Sequence, residues 1–110
     1  MDYTFIQVRE AGNITGCNIY AIVLKDSTIS LFQNFIESHK PTYTEELREI
    51  STTISGYVRY GAREHFFIKK NEGKFGDGIC AIFDEKETRL RLYCIRYSDN
   101  ILILGGGGVK

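Results

Sequence analysis

The sequence predicts an α+β domain with two helices packed on one face of an antiparallel sheet, in the order β-β-α-α-β-β-β-β. Apolar and polar residues alternate with a period of two near both ends of the chain, which is typical of half-buried strands. Between these regions, in residues 28–55, apolar residues recur at helical spacings of three and four. With 110 residues and no linker or internal repeat, the chain is expected to form one domain over residues 1–110.

The N-terminal segment is predicted to form an extra β-hairpin. Residues 3–9 and 18–25 have the composition of strands, and Gly12 and Asn13 suit the positive φ angles of a turn between them. The second strand is apolar throughout residues 19–24, so we expect both of its faces to be buried.

The first helix is predicted at residues 28–39, with Asp26 or Ser27 as its N-cap and Pro41 ending it. Its core-facing stripe is formed by Leu31, Phe32, Phe35 and Ile36.

The second helix is predicted at residues 43–55. Thr42 and Glu45 have the spacing of a capping box, and Gly56 or Gly61 would end the helix. Its acidic residues, between positions 45 and 49, are interpreted as a solvated face. Its apolar stripe consists of Leu47, Ile50 and Ile54.

The C-terminal part is predicted to contain strands at residues 65–70 and 78–83 and a hairpin within residues 88–110, with its turn at residues 98–100. The core-facing side of the hairpin is expected to carry Leu90, Leu92, Cys94, Ile101 and Ile103. The opposite side of its first strand carries Arg89, Arg91, Tyr93, Ile95 and Tyr97. Such a basic and aromatic face suits RNA or phosphate, although it is also common on solvated sheets.

Charge is unevenly distributed along a chain that has no net charge at pH 7. Residues 1–55 carry four Lys or Arg against seven Asp or Glu, whereas residues 56–110 carry ten against seven, giving −3 and +3. A polyanionic partner is therefore expected at the C-terminal half. No apolar run approaches the ~20 residues of a membrane span, and the N-terminus has no signal-peptide pattern, so a cytoplasmic protein is expected.

Cysteine, glycine and histidine patterns indicate neither a metal site nor a cofactor. Cys17, Cys80 and Cys94 lack C-x-x-C spacing and are predicted to be buried free thiols. Residues 105–108 are four consecutive glycines, but they do not fit a phosphate-loop motif. They are interpreted as a flexible tail or a bulged strand end that carries the last residue. His39 and His65 lack ligand spacing.

Basic residues are the remaining candidates for chemistry. Cleavage of RNA by its own 2′-OH requires proton removal from the nucleophile, stabilisation of charge on the phosphorane and protonation of the leaving 5′-oxygen. Arginine suits the second role, and lysine or histidine suits the other two if its pKa is lowered. Tyrosines could stack on unpaired bases. Alternatively, the basic side chains protect a sheet edge against aggregation.

The layout of two helices followed by strands, together with residues 90–110 (LRLYCIRYSDNILILGGGGVK), resembles the RelE/HigB-like toxin superfamily, including its phage-derived HigB-type relatives. The resemblance covers residues 19–110 in topology and the last third of the chain in residue pattern. It rests on Arg91 within an apolar strand, the polar turn at residues 98–100, the apolar strand after it and Gly-Val-Lys at residues 108–110.

This resemblance implies that the antiparallel sheet is curved. It also implies a metal-independent mRNA endoribonuclease acting on the ribosome and neutralised by a cognate antitoxin, often one with a helix-turn-helix domain. Arg91 corresponds to the catalytic strand arginine of the family and Lys110 to its terminal lysine. Lys69 and Lys70 are placed like the basic residues after the second helix, and His65 and Arg63 are additions without a family counterpart. The candidate catalytic residues are thus Arg91, Lys69, Lys110 and His65. The candidate RNA-binding residues are Lys70, Arg63, Arg89, Arg96, Tyr93 and Tyr97.

A non-catalytic function remains the alternative. On the same scaffold, the Tyr- and Phe-rich sheet or the helices could hold a protein partner. The zero net charge favours this alternative, since nucleic-acid-binding proteins usually carry an excess of basic residues. The pattern from Arg91 to Lys110 favours the enzyme.

Overall fold

The computed structural model describes residues 2–63, 79–82 and 87–110, which form two helices and a five-stranded mixed sheet. The predicted α+β class is confirmed. The strands are β1 (Tyr3–Arg9), β2 (Asn18–Leu24), β3 (Ile79–Ile82), β4 (Leu90–Ser98) and β5 (Ile101–Val109). The helices are α1 (Leu31–His39) and α2 (Thr44–Tyr60). The strand predicted at residues 65–70 lies outside the described residues.

The strand order of the sheet is β1-β2-β5-β4-β3. Both predicted hairpins form, and β3 also pairs antiparallel with β4. The prediction of a wholly antiparallel sheet is wrong, because β2 and β5 pair in parallel, with Ile19 opposite Leu102 and Ala21 opposite Leu104. The apolar run of residues 101–104 suits this position, since a strand between two others gains most from apolar residues.

Helix α1 begins later than predicted. Ser30, rather than Asp26 or Ser27, is its N-cap, and the Ser30 hydroxyl accepts a 3.0 Å hydrogen bond from the backbone N–H of Gln33. Asp26 instead adopts a positive φ of 68° in the turn after β2, which is a conformation that aspartate tolerates better than most residues.

Helix α2 is longer than predicted at its C-terminal end, and the predicted capping box is absent. Its N-cap is Tyr43, without a side-chain hydrogen bond, and the helix passes through Gly56 to end at Tyr60. Tyr57 and Val58 are buried in the core, which offsets the roughly 1 kcal/mol that a glycine costs within a helix. Gly61 then ends the helix with a φ of 95°.

The helices cover one face of the sheet, and the core lies between the helices and that face. The predicted burial of the β4 residues is confirmed. In β5 the buried residues are Leu102 and Leu104, whereas Ile101 and Ile103, predicted to face the core, lie half-buried on the opposite face. The sheet contributes Ile19, Ala21, Leu90, Leu92, Cys94, Leu102 and Leu104 to the core, and the helices contribute Phe35, Ile50, Ile54, Tyr57 and Val58. We call the uncovered side the open face of the sheet.

The strands of the N-terminal hairpin differ in burial. In β2 only Ile19 and Ala21 are fully buried, so the predicted burial of both faces is wrong. All seven residues of the edge strand β1 are exposed, although several are apolar. Their number is unusual for an edge that must avoid pairing with other chains.

Candidate functional site

One end of the open face brings together several of the predicted residues. Arg91 lies in β4 directly opposite Gly108 of β5. An Arg91 Nη1–H group donates a 3.2 Å hydrogen bond to the Tyr93 hydroxyl, and the Arg91 Cζ atom lies 5.9 Å from the centre of the Tyr93 ring. Together with Lys110, these residues line a shallow depression of about 320 Å³. We call it the Arg91 depression.

A second depression, of about 470 Å³, adjoins the first because Lys110 lines both. Its other lining residues are Glu87, Thr88 and Arg89. The Lys110 ammonium group donates a 3.0 Å hydrogen bond to the Thr88 hydroxyl. Two guanidinium groups, one ammonium group and one phenol therefore lie at the same end of the sheet, together with the carboxyl group of Glu87 in the second depression. This set can bind an anion, because a guanidinium can take two oxygens of a phosphate at once.

The glycine run shapes this end of the sheet. Residues 105–108 belong to β5, and the Lys110 backbone N–H donates a 2.7 Å hydrogen bond to the Arg89 carbonyl. The register shifts between Leu92 and Cys94, so the bulged strand end is confirmed and the flexible tail is wrong. A Cβ on Gly107 would lie 2.0 Å from the Arg91 carbonyl oxygen and 2.9 Å from Cε1 of Phe35. Glycine is therefore required there by close packing.

Glu46 positions the start of β4. This role was missed from the sequence, because the pattern placed Glu46 on a solvated helix face. One of its carboxylate oxygens accepts hydrogen bonds from the backbone N–H groups of Arg89 and Leu90, at 2.9 and 3.0 Å. Because these residues directly precede Arg91, the contact ties the site to the first turn of α2. Nothing in local sequence could reveal it, since the partners are more than 40 residues apart.

Other predicted residues lie at the opposite end of the sheet. Tyr97 is six residues from Arg91 along β4, or about 20 Å. It lines an apolar depression on the open face with Phe5 and Tyr20. The Arg96 guanidinium donates from Nε to the Ala62 carbonyl at 2.7 Å and forms an ion pair with Asp99.

Arg63 is exposed and follows Ala62, whose backbone N–H donates to the Asp99 carbonyl in the β4–β5 turn. Arg63, Arg96 and Tyr97 are therefore not part of the Arg91 group. His65, Lys69 and Lys70 lie outside the described residues.

His39 is half-buried and packs against two aromatic rings. Its Nδ1 atom is 2.8 Å from the Phe35 carbonyl oxygen, and its ring lies between those of Phe35 and Tyr43. Within residues 2–63, 79–82 and 87–110, no three His, Cys, Asp or Glu residues are grouped closely enough to hold a metal ion. None of the described helices has the length and apolar character needed to cross a membrane.

The three thiols and one phenol lie together in the core. Cys17, Cys80 and Cys94 are free and buried, as predicted, and the sulfur atoms of Cys80 and Cys94 are 3.8 Å apart. Burial raises the pKa of Cys17 to about 11, and it also raises the pKa of the Tyr57 phenol. Both groups are therefore neutral at physiological pH, which suits packing rather than nucleophilic chemistry.

Comparison of the chain with protein-family models, with curated proteins and with solved structures gives no match. The features that bear on function are therefore the geometry of the Arg91 depression and the exposed surfaces around it.

Proposed function

We propose that the chain is the toxin component of a toxin–antitoxin system and cleaves mRNA on the ribosome without a metal ion. The observation that carries this proposal is the grouping of Arg91, Tyr93 and Lys110 around one depression, with Arg89 beside it. In the fold of such a toxin, the sheet is curved and a further strand follows α2. The partners are mRNA, the ribosome and a cognate antitoxin.

In this mechanism the RNA phosphodiester occupies the Arg91 depression. The Arg91 guanidinium stabilises the negative charge that develops on the phosphorane, which is the role to which its paired N–H donors are suited. The Tyr93 hydroxyl accepts a hydrogen bond from Arg91 and can donate its own proton to a phosphate oxygen. Proton transfer to and from the 2′- and 5′-oxygens is assigned to Lys110, Lys69 and His65.

The test is induced expression in a bacterial host, with growth recorded and new mRNA 5′ ends mapped. We expect growth arrest and cleavage at a fixed position within codons, and loss of both in Arg91→Ala. The matched control is Arg59→Ala, because Arg59 also lies over a tyrosine ring, that of Tyr60, at 5.9 Å but is on α2. Full toxicity of a folded Arg91→Ala protein would contradict the assignment.

A second function, a non-catalytic protein-binding module, is favoured by a different observation. Tyr3 and Phe5 in β1 are in ring contact, and Phe5 shares a depression on the open face with Tyr97 of β4. These three side chains are between 44% and 74% exposed, and large exposed apolar patches usually mark interfaces. Normal growth at confirmed soluble expression would favour this function over the nuclease. The next experiment would then be a pull-down of the partner.

A further inference from the structure

An apolar groove lies on the helix side of the sheet, away from the Arg91 depression. Its volume is about 460 Å³, and it is lined by both helices and by Val8 of the edge strand β1. Phe32 and Ile36 of α1 and Leu47 of α2 form its sides, and each is only partly buried against the core. The groove therefore leaves apolar surface uncovered between the two helices.

The charged residues of the N-terminal half that line the groove are all basic. Residues 1–55 contain four basic residues, and three of them, Arg9, Lys40 and Arg48, line it. The same residues 1–55 contain seven Asp and Glu, none of which lines the groove. Glu45 does form an ion pair with Arg48, but both side chains are exposed, at 78% and 66%. An exposed pair of this kind is weak and can be exchanged for another carboxylate.

We propose that this groove docks an amphipathic helix of a partner protein whose polar face is acidic. The apolar lining needs an apolar face to cover it, and the basic rim needs negative charges beside that face. Helix α1 has nine residues and is about 14 Å long. Anchors at positions i, i+3 or i+4 and i+7 of a partner helix span about 10 Å, which fits along the groove.

Two other occupants fit less well. RNA binds through its phosphates and by stacking its bases on aromatic rings. Among the described residues that line the groove only Phe32 is aromatic, so RNA would leave Ile36 and Leu47 uncovered. A second copy would have to offer an acidic helix, and α2 has acidic residues in its first turn. However, the only large apolar side chain that α2 exposes is Tyr60, at its far end. Apart from Leu47, which lines the groove itself, α2 therefore has no large apolar side chain exposed beside its acidic first turn.

Binding of a helix in the groove does not depend on RNA cleavage. The Arg91 depression is on the open face of the sheet, whereas the groove is on the helix side. A protein that failed to cleave RNA could still bind the helix, and a nuclease without this partner would still cleave. The two proposals can thus fail separately.

The probe is a pair of labelled model peptides of about 18 residues, long enough to form a helix. Both carry leucine at positions i, i+3, i+4 and i+7; one has glutamate and the other lysine on the polar face. By fluorescence anisotropy with the full chain, we expect the acidic peptide to bind at least about tenfold more tightly. Its affinity should fall with added salt, since the attraction is partly electrostatic.

Charge-reversal variants locate the binding. We expect the double variant Lys40→Glu, Arg48→Glu to lose at least about tenfold in affinity for the acidic peptide. The control is Lys25→Glu, because Lys25 is the fourth basic residue of residues 1–55 and does not line the groove. It should change the affinity by less than about twofold. Circular dichroism would confirm that all variants fold.

Three results would overturn the proposal. The first is equal or negligible affinity for both peptides. The second is an equal loss of affinity in the double variant and in Lys25→Glu. The third is a chain that self-associates in sedimentation with the residues of the groove protected from exchange, since a second copy would then be the occupant.

Discussion

Replacement of Glu46 by alanine tests how the site is held in place. The carboxylate of this α2 residue accepts the backbone N–H groups of Arg89 and Leu90 at 2.9 and 3.0 Å. Alanine removes both hydrogen bonds and leaves the backbone N–H groups of Arg89 and Leu90 without this acceptor. The loss falls at the start of β4, two residues before Arg91.

The expected loss of unfolding free energy is about 2 kcal/mol. A hydrogen bond to a charged group is worth roughly 1.5–3 kcal/mol, but one oxygen serves both donors here. Arg89 is also exposed, so water can replace part of the interaction. In a chain of 110 residues, a loss of about 2 kcal/mol lowers the Tm by about 8 °C. Glu46→Gln keeps an acceptor and should lose about half as much.

The assay combines thermal unfolding with amide hydrogen exchange of Arg89 and Leu90. Glu45→Ala is the matched control: both glutamates lie in the first turn of α2, but the ion pair of Glu45 with Arg48 is on the surface. It should cost less than about 1 kcal/mol, from the surface pair and the helix dipole. Equal Tm shifts in the two variants, or unchanged exchange at Arg89 and Leu90 in Glu46→Ala, would refute the reasoning.

Two further predictions concern the glycine run and the buried thiol. Gly107→Ala should lower the unfolding free energy by at least about 2 kcal/mol, because its Cβ would overlap the Arg91 carbonyl and Phe35. Gly108→Ala, with nothing within 4 Å of its Cβ, should change it by less than about 1 kcal/mol in denaturant titrations, and equal losses would contradict this. Burial raises the pKa of Cys17 to about 11, so a thiol reagent at pH 8 should react with it at least about a hundredfold more slowly in the folded protein than after unfolding. The raised pKa means that Cys17 binds its proton more tightly in the folded state than in the unfolded state. Below about pH 8 the thiol is protonated in both states, so its ionisation does not change the unfolding free energy. From about pH 8.5 towards pH 11 the thiol ionises mainly in the unfolded state, so the unfolding free energy falls as the pH rises. Fast labelling of the folded protein would contradict this prediction.

Local patterns predicted several elements correctly. The alternation of Leu90, Leu92 and Cys94 identified the buried side of β4, because side chains in a strand point to opposite faces in turn. The same rule could not identify the buried side of β5. Residues 101–104 are all apolar, so the sequence does not show which side of the strand faces the core. The end of α1 at His39 was predicted correctly, and the start of α2 was predicted to within one residue. The start of α1 was missed because several candidate caps were adjacent, and the end of α2 was missed because tertiary packing of Tyr57 and Val58 extended the helix.

The candidate site was predictable only in part. Arg91 and Tyr93 share one side of β4 by periodicity alone, and Arg89 just before the strand has the same parity. Lys110 joins them through hairpin pairing. Arg96 was included because it is basic and on the same strand, but odd and even positions of a strand face opposite sides. Its guanidinium instead binds the Ala62 carbonyl and Asp99.

The sequence by itself determined the α+β class, both hairpins, the presence of two helices and the exposed basic and aromatic side of β4. Each of these depends on neighbours a few residues apart, where periodicity and turn chemistry act. Only the tertiary structure decided the parallel pairing of β2 with β5, the contact of Glu46 with β4 and the basic rim of the apolar groove. These features join residues far apart in the chain, and their partners are selected by how the helices pack on the sheet rather than by any local preference.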